Sequence, residues 1–194
     1  MNSSDEQRLI QYSRDGDLDS FNRLVEAHQD AVFSVVLRMT RNRATAEDVT
    51  QDTFISAFRS IRSYRGGIFR AWLLRIARNA ALDHFRRTKR RDESSLDADI
   101  IRFSDTVESP NPGPEAVAVN SELAAAIAGC LGCLNDDQRM ALVMIDIEGY
   151  QYEETAQSMG VSIGTVKSRL NRARARMRDC LQAHPEHLPP SMRL

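Results

Sequence analysis

The sequence has no long apolar run. Met140 to Ile145 is six residues, as is Leu123 to Ala128, and both are far short of the roughly 20 a membrane-spanning helix requires. Met1 to Gln7 is polar and no apolar core follows, which predicts no secretory leader, no membrane insertion and a cytoplasmic protein. Cysteine is scarce, with Cys130, Cys133 and Cys180 the only three. That number fits a reducing compartment and no disulfide framework. Glycine (9) and proline (6) are also few, so long regular elements are favoured over a turn-rich β architecture. No glycine-rich phosphate loop precedes a helix. No nucleophile elbow and no metal-spaced Cys/His/Asp cluster occurs either. The expectation is a protein that is not an enzyme and needs no metal or cofactor.

Net charge is also lacking, at −1 overall, but its distribution is uneven. Residues 1–91 hold 17 Lys/Arg against 11 Asp/Glu, residues 92–118 hold one against seven, and the remainder 8 against 9. Basic ends flank an acidic middle, and local fields rather than the total steer a polyanion.

What is present is helical periodicity almost throughout, with no convincing strand alternation. The expected fold is all-α, two small helical domains joined by a flexible acidic linker. The boundaries are 1–91, a linker at 92–118, a second domain at 119–182 and a flexible tail at 183–194. The linker is rich in Asp, Glu, Ser and Pro, including Ser109 to Pro114, and too poor in apolar residues to pack by itself.

Leu18, Phe21, Leu24 and Val25 recur at helical spacing from Asp17 to Ala27. His28 to Met39 is apolar nearly all round, which predicts a central core helix. His28 and His84 read as surface or capping residues. Thr45 is placed as the hydroxyl cap of a helix running to about Arg62. That helix buries Ala46, Val49, Phe54, Ala57, Phe58 and Ile61. Its other side carries Asp48, Gln51, Asp52, Ile55, Arg59 and Arg62. A solvated face with one stray isoleucine fits this pattern. A docking face with an apolar anchor in a charged rim fits it equally.

After a loop, Ser63 to Ile68, a helix is expected from Phe69 to about Arg87. Residues 70–91 contain eight cations and one acid, Asp83. Arg75, Arg78, Asn79 and Arg86 share a face, and Arg87 adds to the same basic surface. Aromatics beside a basic surface suit unstacked bases. Phe69 and Trp72 read as core, leaving Tyr64 on the loop as the residue to meet a base.

From Glu115 the helical period returns, with Leu123, Ile127, Cys130, Leu131 and Leu134 in one stripe. Cys130 therefore reads as a buried small hydrophobe. Asn135 to Gln138 forms a capping box for a helix to about Glu148, ended by Gly149. Two helices then follow, Tyr152 to Met159 and one capped by Ser162, with Gly160 supplying the positive φ between them. In the second, Val166, Leu170, Ala173 and Met177 form the buried stripe, and Thr165, Ser168, Arg169, Arg172 and Arg176 face outward. Lys167, Arg169, Arg172, Arg174, Arg176 and Arg178 have no acid among them, so they would repel one another without a nearby anion. A short helix, a glycine turn and a basic helix make a helix-turn-helix that can enter a major groove.

Together these pieces resemble the extracytoplasmic-function (ECF) group of the sigma-70 family of bacterial RNA polymerase sigma factors. The likeness covers roughly residues 7–91 (region 2) and 119–182 (region 4). AEDVTQDTFISAFRSI (Ala46 to Ile61) resembles the segment that docks on the clamp helices of the polymerase largest subunit. FRAWLLRIARNAALDHFRR (Phe69 to Arg87) resembles the segment that captures and melts the minus-10 element. EGYQYEETAQSMGVSIGTVKSRLNRARARM (Glu148 to Met177) resembles the minus-35 reader. The loop from Arg65 to Trp72 is one residue shorter than is usual in the family, and Leu134-Asn135 replaces a usual Leu-Pro.

The resemblance implies core-polymerase binding by Asp48, Gln51, Asp52, Ile55 and Arg59. It implies minus-10 contacts by Asn79, Asp83 and Arg86, beside Tyr64, Arg75, Arg78 and Arg87 of the basic surface. It implies minus-35 contacts by Lys167, Ser168, Arg169, Asn171 and Arg172, beside Thr165, Arg174 and Arg176. The implied partners are core polymerase (clamp helices and the flap of the second subunit), promoter DNA and an anti-sigma protein. A helix-turn-helix regulator that never joins polymerase is the other reading. It leaves the basic 70–91 segment and the stripe from Asp48 unexplained.

Overall fold

The computed structural model describes residues 2–92 and 114–183. The first domain contains α1 (Ser3–Arg14), α2 (Leu18–Thr40), α3 (Arg43–Ser60), a 3-10 turn (Ile61–Ser63) and α4 (Phe69–Asp92). The second contains α5 (Pro114–Gly132), α6 (Asp136–Leu142), a π turn (Val143–Ile147), α7 (Tyr152–Met159) and α8 (Ile163–Ala183). The described residues contain no strand, as the periodicity predicts. Residues 93–113 of the expected linker and 184–194 of the expected tail lie outside the described residues, whereas 114–118, also expected as linker, belong to α5.

Local chemistry explains most of the boundaries. The Asn2 side chain accepts from Asp5 N at 2.8 Å and starts α1, a helix the sequence reading did not place. Asp17 accepts from the backbone N–H groups of Asp19 and Ser20 and from the Ser20 hydroxyl, so α2 begins there. The same bonds hold the Asp17 carboxyl below its usual range, the Ser20 hydroxyl most of all. α2 is one unbroken helix whose Leu24, Val32, Val35, Val36 and Met39 are each at most 1% exposed. It is the centre of the first domain, against α3 (Ala46, Val49, Phe54, Ala57) and α4 (Phe69, Leu73, Leu74, Ala77).

Three local expectations need correction. Asn42, not Thr45, caps α3, because its side-chain Oδ1 accepts from Thr45 N at 2.8 Å. The helix to Glu148 is α-helical only to Leu142 and then widens to a π turn, ending at Gly149 with φ +70°. His28 is neither a surface nor a capping residue. It is 9% exposed, with Nε2 2.9 Å from Glu6 Oε1 and its ring 5.5 Å from that of Phe69.

In the second domain the predicted stripe of α8 is buried as expected: Val166, Leu170 and Ala173 are at most 1% exposed and Met177 8%. Gly160 has φ +66° at the α7 exit, and Ser162 Oγ accepts from Thr165 N at 3.2 Å to start α8. Cys130 is buried, but it is not a free thiol. It forms a disulfide with Cys180 of α8, closing a loop with a sequence separation of 50. Spacing could not show this, because the two residues meet only when α5 packs on α8. A loop of that length stabilises the folded state by about 4 kcal/mol in the chain-entropy account.

Candidate nucleic-acid and polymerase interfaces

The five candidate docking residues of α3 are all exposed: Asp48, Gln51, Asp52, Ile55 and Arg59. Ile55 is 42% exposed and borders a groove of about 780 Å³ between α2 and α3. Phe21, Val25, Phe33, Phe54 and Phe58 line this groove, and Leu18, 55% exposed, stands at its edge. Leu18 and Val25 share the helical spacing of the buried Phe21 and Leu24, but spacing says which face residues share and not how deep it lies. The result is an apolar trough rimmed by Asp30, Arg43, Glu47 and Arg59, the form a helical protein partner fills.

On α4, Arg75, Asn79, Asp83, Arg86 and Arg87 are exposed and Arg78 is half-buried. Arg86 donates to Asp83 at 3.1 Å. Tyr64 departs from expectation. It is 8% exposed, its hydroxyl donates to the Gly67 carbonyl at 2.6 Å, and its ring packs 5.4 Å from both Phe69 and Trp72. Trp72, expected in the core, is the more open of the two. Burial pushes the Tyr64 hydroxyl above its usual range. The bond to Gly67 shapes the loop. With Glu6, Gln7, Gln11 and Arg14 of α1, Tyr64 and the loop line a polar cavity of about 410 Å³.

On α8, Lys167, Asn171 and Arg172 are exposed, and Thr165 and Ser168 are half-buried. Ser168 donates its hydroxyl to the Thr165 carbonyl at 2.9 Å. Two of these cations, Arg174 and Arg169, find acids, and both acids come from other elements. Arg174 makes a two-pronged pair with Asp146 of the π turn, at 2.8 and 2.6 Å. That carboxylate holds the guanidinium above its already high range. Arg169 pairs with Asp137 at 2.7 Å. Arg176 donates to Gln138 Oε1 at 3.0 Å. Gln138 therefore does not reach back to complete the capping box; only Asn135 caps, accepting from Gln138 N. Arg174 and Arg176 brace the helix to its own domain, whereas Lys167, Asn171 and Arg172 present outward.

The two domains pack together through charge. Glu154 of α7, 4% exposed, accepts from Arg70 at 2.6 and 2.9 Å, and Arg70 also lies 4.4 Å over the Tyr150 ring. Glu154 holds the Arg70 guanidinium above its usual range. Glu148 accepts from Ser34 and pairs with Arg38, both at 2.7 Å. Arg139, 7% exposed, donates to the carbonyls of Leu131, Leu134 and, across the domain boundary, Met39. Its burial lowers the guanidinium pKa against the pull of Asp136. A Cβ on Gly67 would lie 2.7 Å from Gln157 Nε2, so α7 also covers the loop after Tyr64. Arg70, Arg139, Glu148 and Glu154 were not singled out in the sequence.

The comparisons with known proteins agree with this geometry. Residues 24–91 match the model of Sigma-70 region 2, and residues 124–177 match that of Sigma-70, region 4. The chain is 40% identical over 167 residues to the ECF RNA polymerase sigma factor SigE of Mycolicibacterium smegmatis. That match covers 86% of this chain and 63% of the mycobacterial one. It is 33% identical over 181 residues to the RNA polymerase sigma-H factor of Pseudomonas aeruginosa, covering 91% and 94%. The sigma factor RpoE of Bartonella quintana, solved in complex with the anti-sigma factor NepR, superposes with a TM-score of 0.68 at 27% identity. That likeness covers 84% of this chain and 98% of the other. The two matched regions stand in the family's order, and the chain belongs to the ECF group of sigma-70 RNA polymerase sigma factors.

Proposed function

We propose a division of labour by residue within this promoter-specificity subunit. The α3 stripe (Asp48, Gln51, Asp52, Ile55, Arg59) docks on the polymerase clamp helices. The α4 face (Arg75, Arg78, Asn79, Asp83, Arg86, Arg87) and the Tyr64 loop hold the opened minus-10 strand. The α8 face (Thr165, Lys167, Ser168, Arg169, Asn171, Arg172) reads the minus-35 duplex. The observation that carries this reading is the placement of the three sets on three rigid helices, each with its opposite face in the core. Rigid placement lets contacts form without reordering the chain. Unstacking costs a few kcal/mol per base step, and arginine–phosphate contacts offset it, so binding should weaken steeply with salt.

The packed arrangement is a resting form in this reading. Asp137 occupies Arg78 and Arg169, and α7 covers the loop beside Tyr64, so the domains separate before both promoter elements are engaged. Docking on polymerase supplies the differential contacts that favour the separated form. The α2–α3 trough, apolar and open, also suits an anti-sigma protein, the class bound to the Bartonella relative. The protein works in the cytoplasm and performs no covalent step of its own.

Run-off transcription with purified core polymerase, with and without this protein, tests the reading over a library of upstream elements. A promoter-dependent transcript is expected only when the protein is present. Its absence across the library would end the proposal.

A further inference from the structure

The three cysteines of the sequence converge on one spot in the second domain. Cys130 and Cys180 are bonded, and Cys133 Sγ stands 3.9 Å from Cys180 Sγ. Cys130 is 3% exposed, Cys180 is half-buried, and Cys133, just past the end of α5, is exposed. None of the three belongs to the polymerase or DNA faces described above. We propose that they form a thiol–disulfide exchange site, read by a low-molecular-weight thiol and its disulfide, in which Cys133 carries the exchange between the surface and the buried bond.

In the first step Cys133 loses its proton to water and its thiolate attacks Cys180 Sγ. The Cys133–Cys180 bond forms, the Cys180–Cys130 bond breaks, and Cys130 leaves as a thiolate that takes up a proton. No electron is gained or lost by the protein. In the second step an external thiolate attacks the exposed Cys133 sulfur, giving a mixed disulfide and releasing Cys180 as a thiol. A second external thiolate attacks the external sulfur of that mixed disulfide. Cys133 is released as a thiol and the free reagent disulfide forms. Two external thiols are thereby oxidised and one protein disulfide reduced to two thiols; the reverse sequence restores the bond. Access governs such exchange. Burial of Cys130 shields that end of the bond, whereas Cys133 and Cys180 are reachable.

The consequence lies in what the bond encloses. The Cys130–Cys180 link ties α5 to α8 around α6, the π turn, α7 and α8 as far as Asp179, so it encloses the helix-turn-helix. Moving the anchor to Cys133 takes it off the buried stripe of α5, and reduction removes it. Disulfides in a reducing compartment are mostly transient, catalytic or sensing. The thiol poise would then set the rigidity of the domain that reads DNA, a consequence that rests on the function proposed above; the exchange itself does not.

The test uses the full chain in glutathione/glutathione disulfide buffers from oxidising to reducing. Samples are quenched in acid, alkylated and mapped by peptide mass spectrometry without reduction. The expected result is a Cys133–Cys180 peptide beside the Cys130–Cys180 one as reduction begins. Cys133→Ser, an exposed change whose folding circular dichroism can check, should lose the first peptide and be reduced more slowly. A Cys130–Cys180 peptide alone at every ratio in the unsubstituted chain would overturn the proposal, as would an unchanged rate in Cys133→Ser. Loss of promoter binding in every buffer would sink the DNA reading and leave these peptides as they are.

Discussion

Arg78 of α4 and Arg169 of α8 share one carboxylate. Asp137 accepts from Arg78 at 2.5 Å through one oxygen and from Arg169 at 2.7 Å through the other. The two guanidiniums belong to the faces proposed above for the minus-10 and minus-35 elements, so one acid at the start of α6 ties α4 to α8. Asp137→Asn should loosen that tie. Its side chain is 34% exposed, so solvent screening holds the effect to about 1 kcal/mol, roughly fivefold in affinity. Fluorescence anisotropy with a promoter duplex should show tighter binding. Weaker or unchanged binding would remove Asp137 from this role.

The Arg70–Glu154 pair is the more deeply buried cross-domain tie. Arg70→Ala leaves a carboxylate that is 5% exposed without its partner, a loss of about 3 kcal/mol if the interface stays shut. Opening the interface lets water reach Glu154 at lower cost. Small-angle scattering should therefore report a larger radius for Arg70→Ala with unchanged helical content. A compact variant of full stability would contradict the assignment.

For the docking face, Asp52→Arg and Ile55→Lys should each abolish retention on immobilised core polymerase. Both residues are exposed, so stability should move by no more than about 0.5 kcal/mol. Retention at the original level would separate the α2–α3 trough from polymerase binding.

Two arginines of α8 should behave differently. Arg172→Ala should weaken promoter binding and lower the salt dependence by about one phosphate contact, leaving thermal stability alone. Arg174→Ala breaks the pair with Asp146 and should lower the melting temperature more than it changes the salt slope. Equal slopes and equal melting temperatures in the two variants would deny the distinction between reading and bracing.

His28 gives a pH dependence. Burial lowers its pKa from 6.5, outweighing the opposite pull of Glu6. A folded-state pKa below the unfolded one stabilises the fold above about pH 6.5, and that contribution is lost as the pH falls toward the lowered value. Denaturant titrations should show stability declining below pH 6.5, with a smaller decline in His28→Gln. An identical pH profile for the two proteins would show that His28 does not carry the effect.

Much of this was legible in the chain. Helical period placed the buried stripe of α8 and Gly160 placed the turn, because these signals act over four or five residues. Caps were less secure. Asn42 and Thr45 are both competent to start α3, and the choice went to the residue whose side-chain oxygen reaches a free N–H. The burial of Tyr64 and His28 was hidden, because each packs on a helix distant from it in sequence.

The sequence by itself determined the helical character of the described residues, the charged stripe of α3 and the basic faces of α4 and α8, since period, capping chemistry and charge are local properties. Only the tertiary structure decided which cations are occupied. It set Arg169 on Asp137, Arg174 on Asp146 and Arg70 on Glu154, and it joined Cys130 to Cys180. Those partners lie 28 to 84 residues apart, and separation of that size leaves no periodic trace: only packing of helix on helix brings such charges and sulfurs within bonding distance.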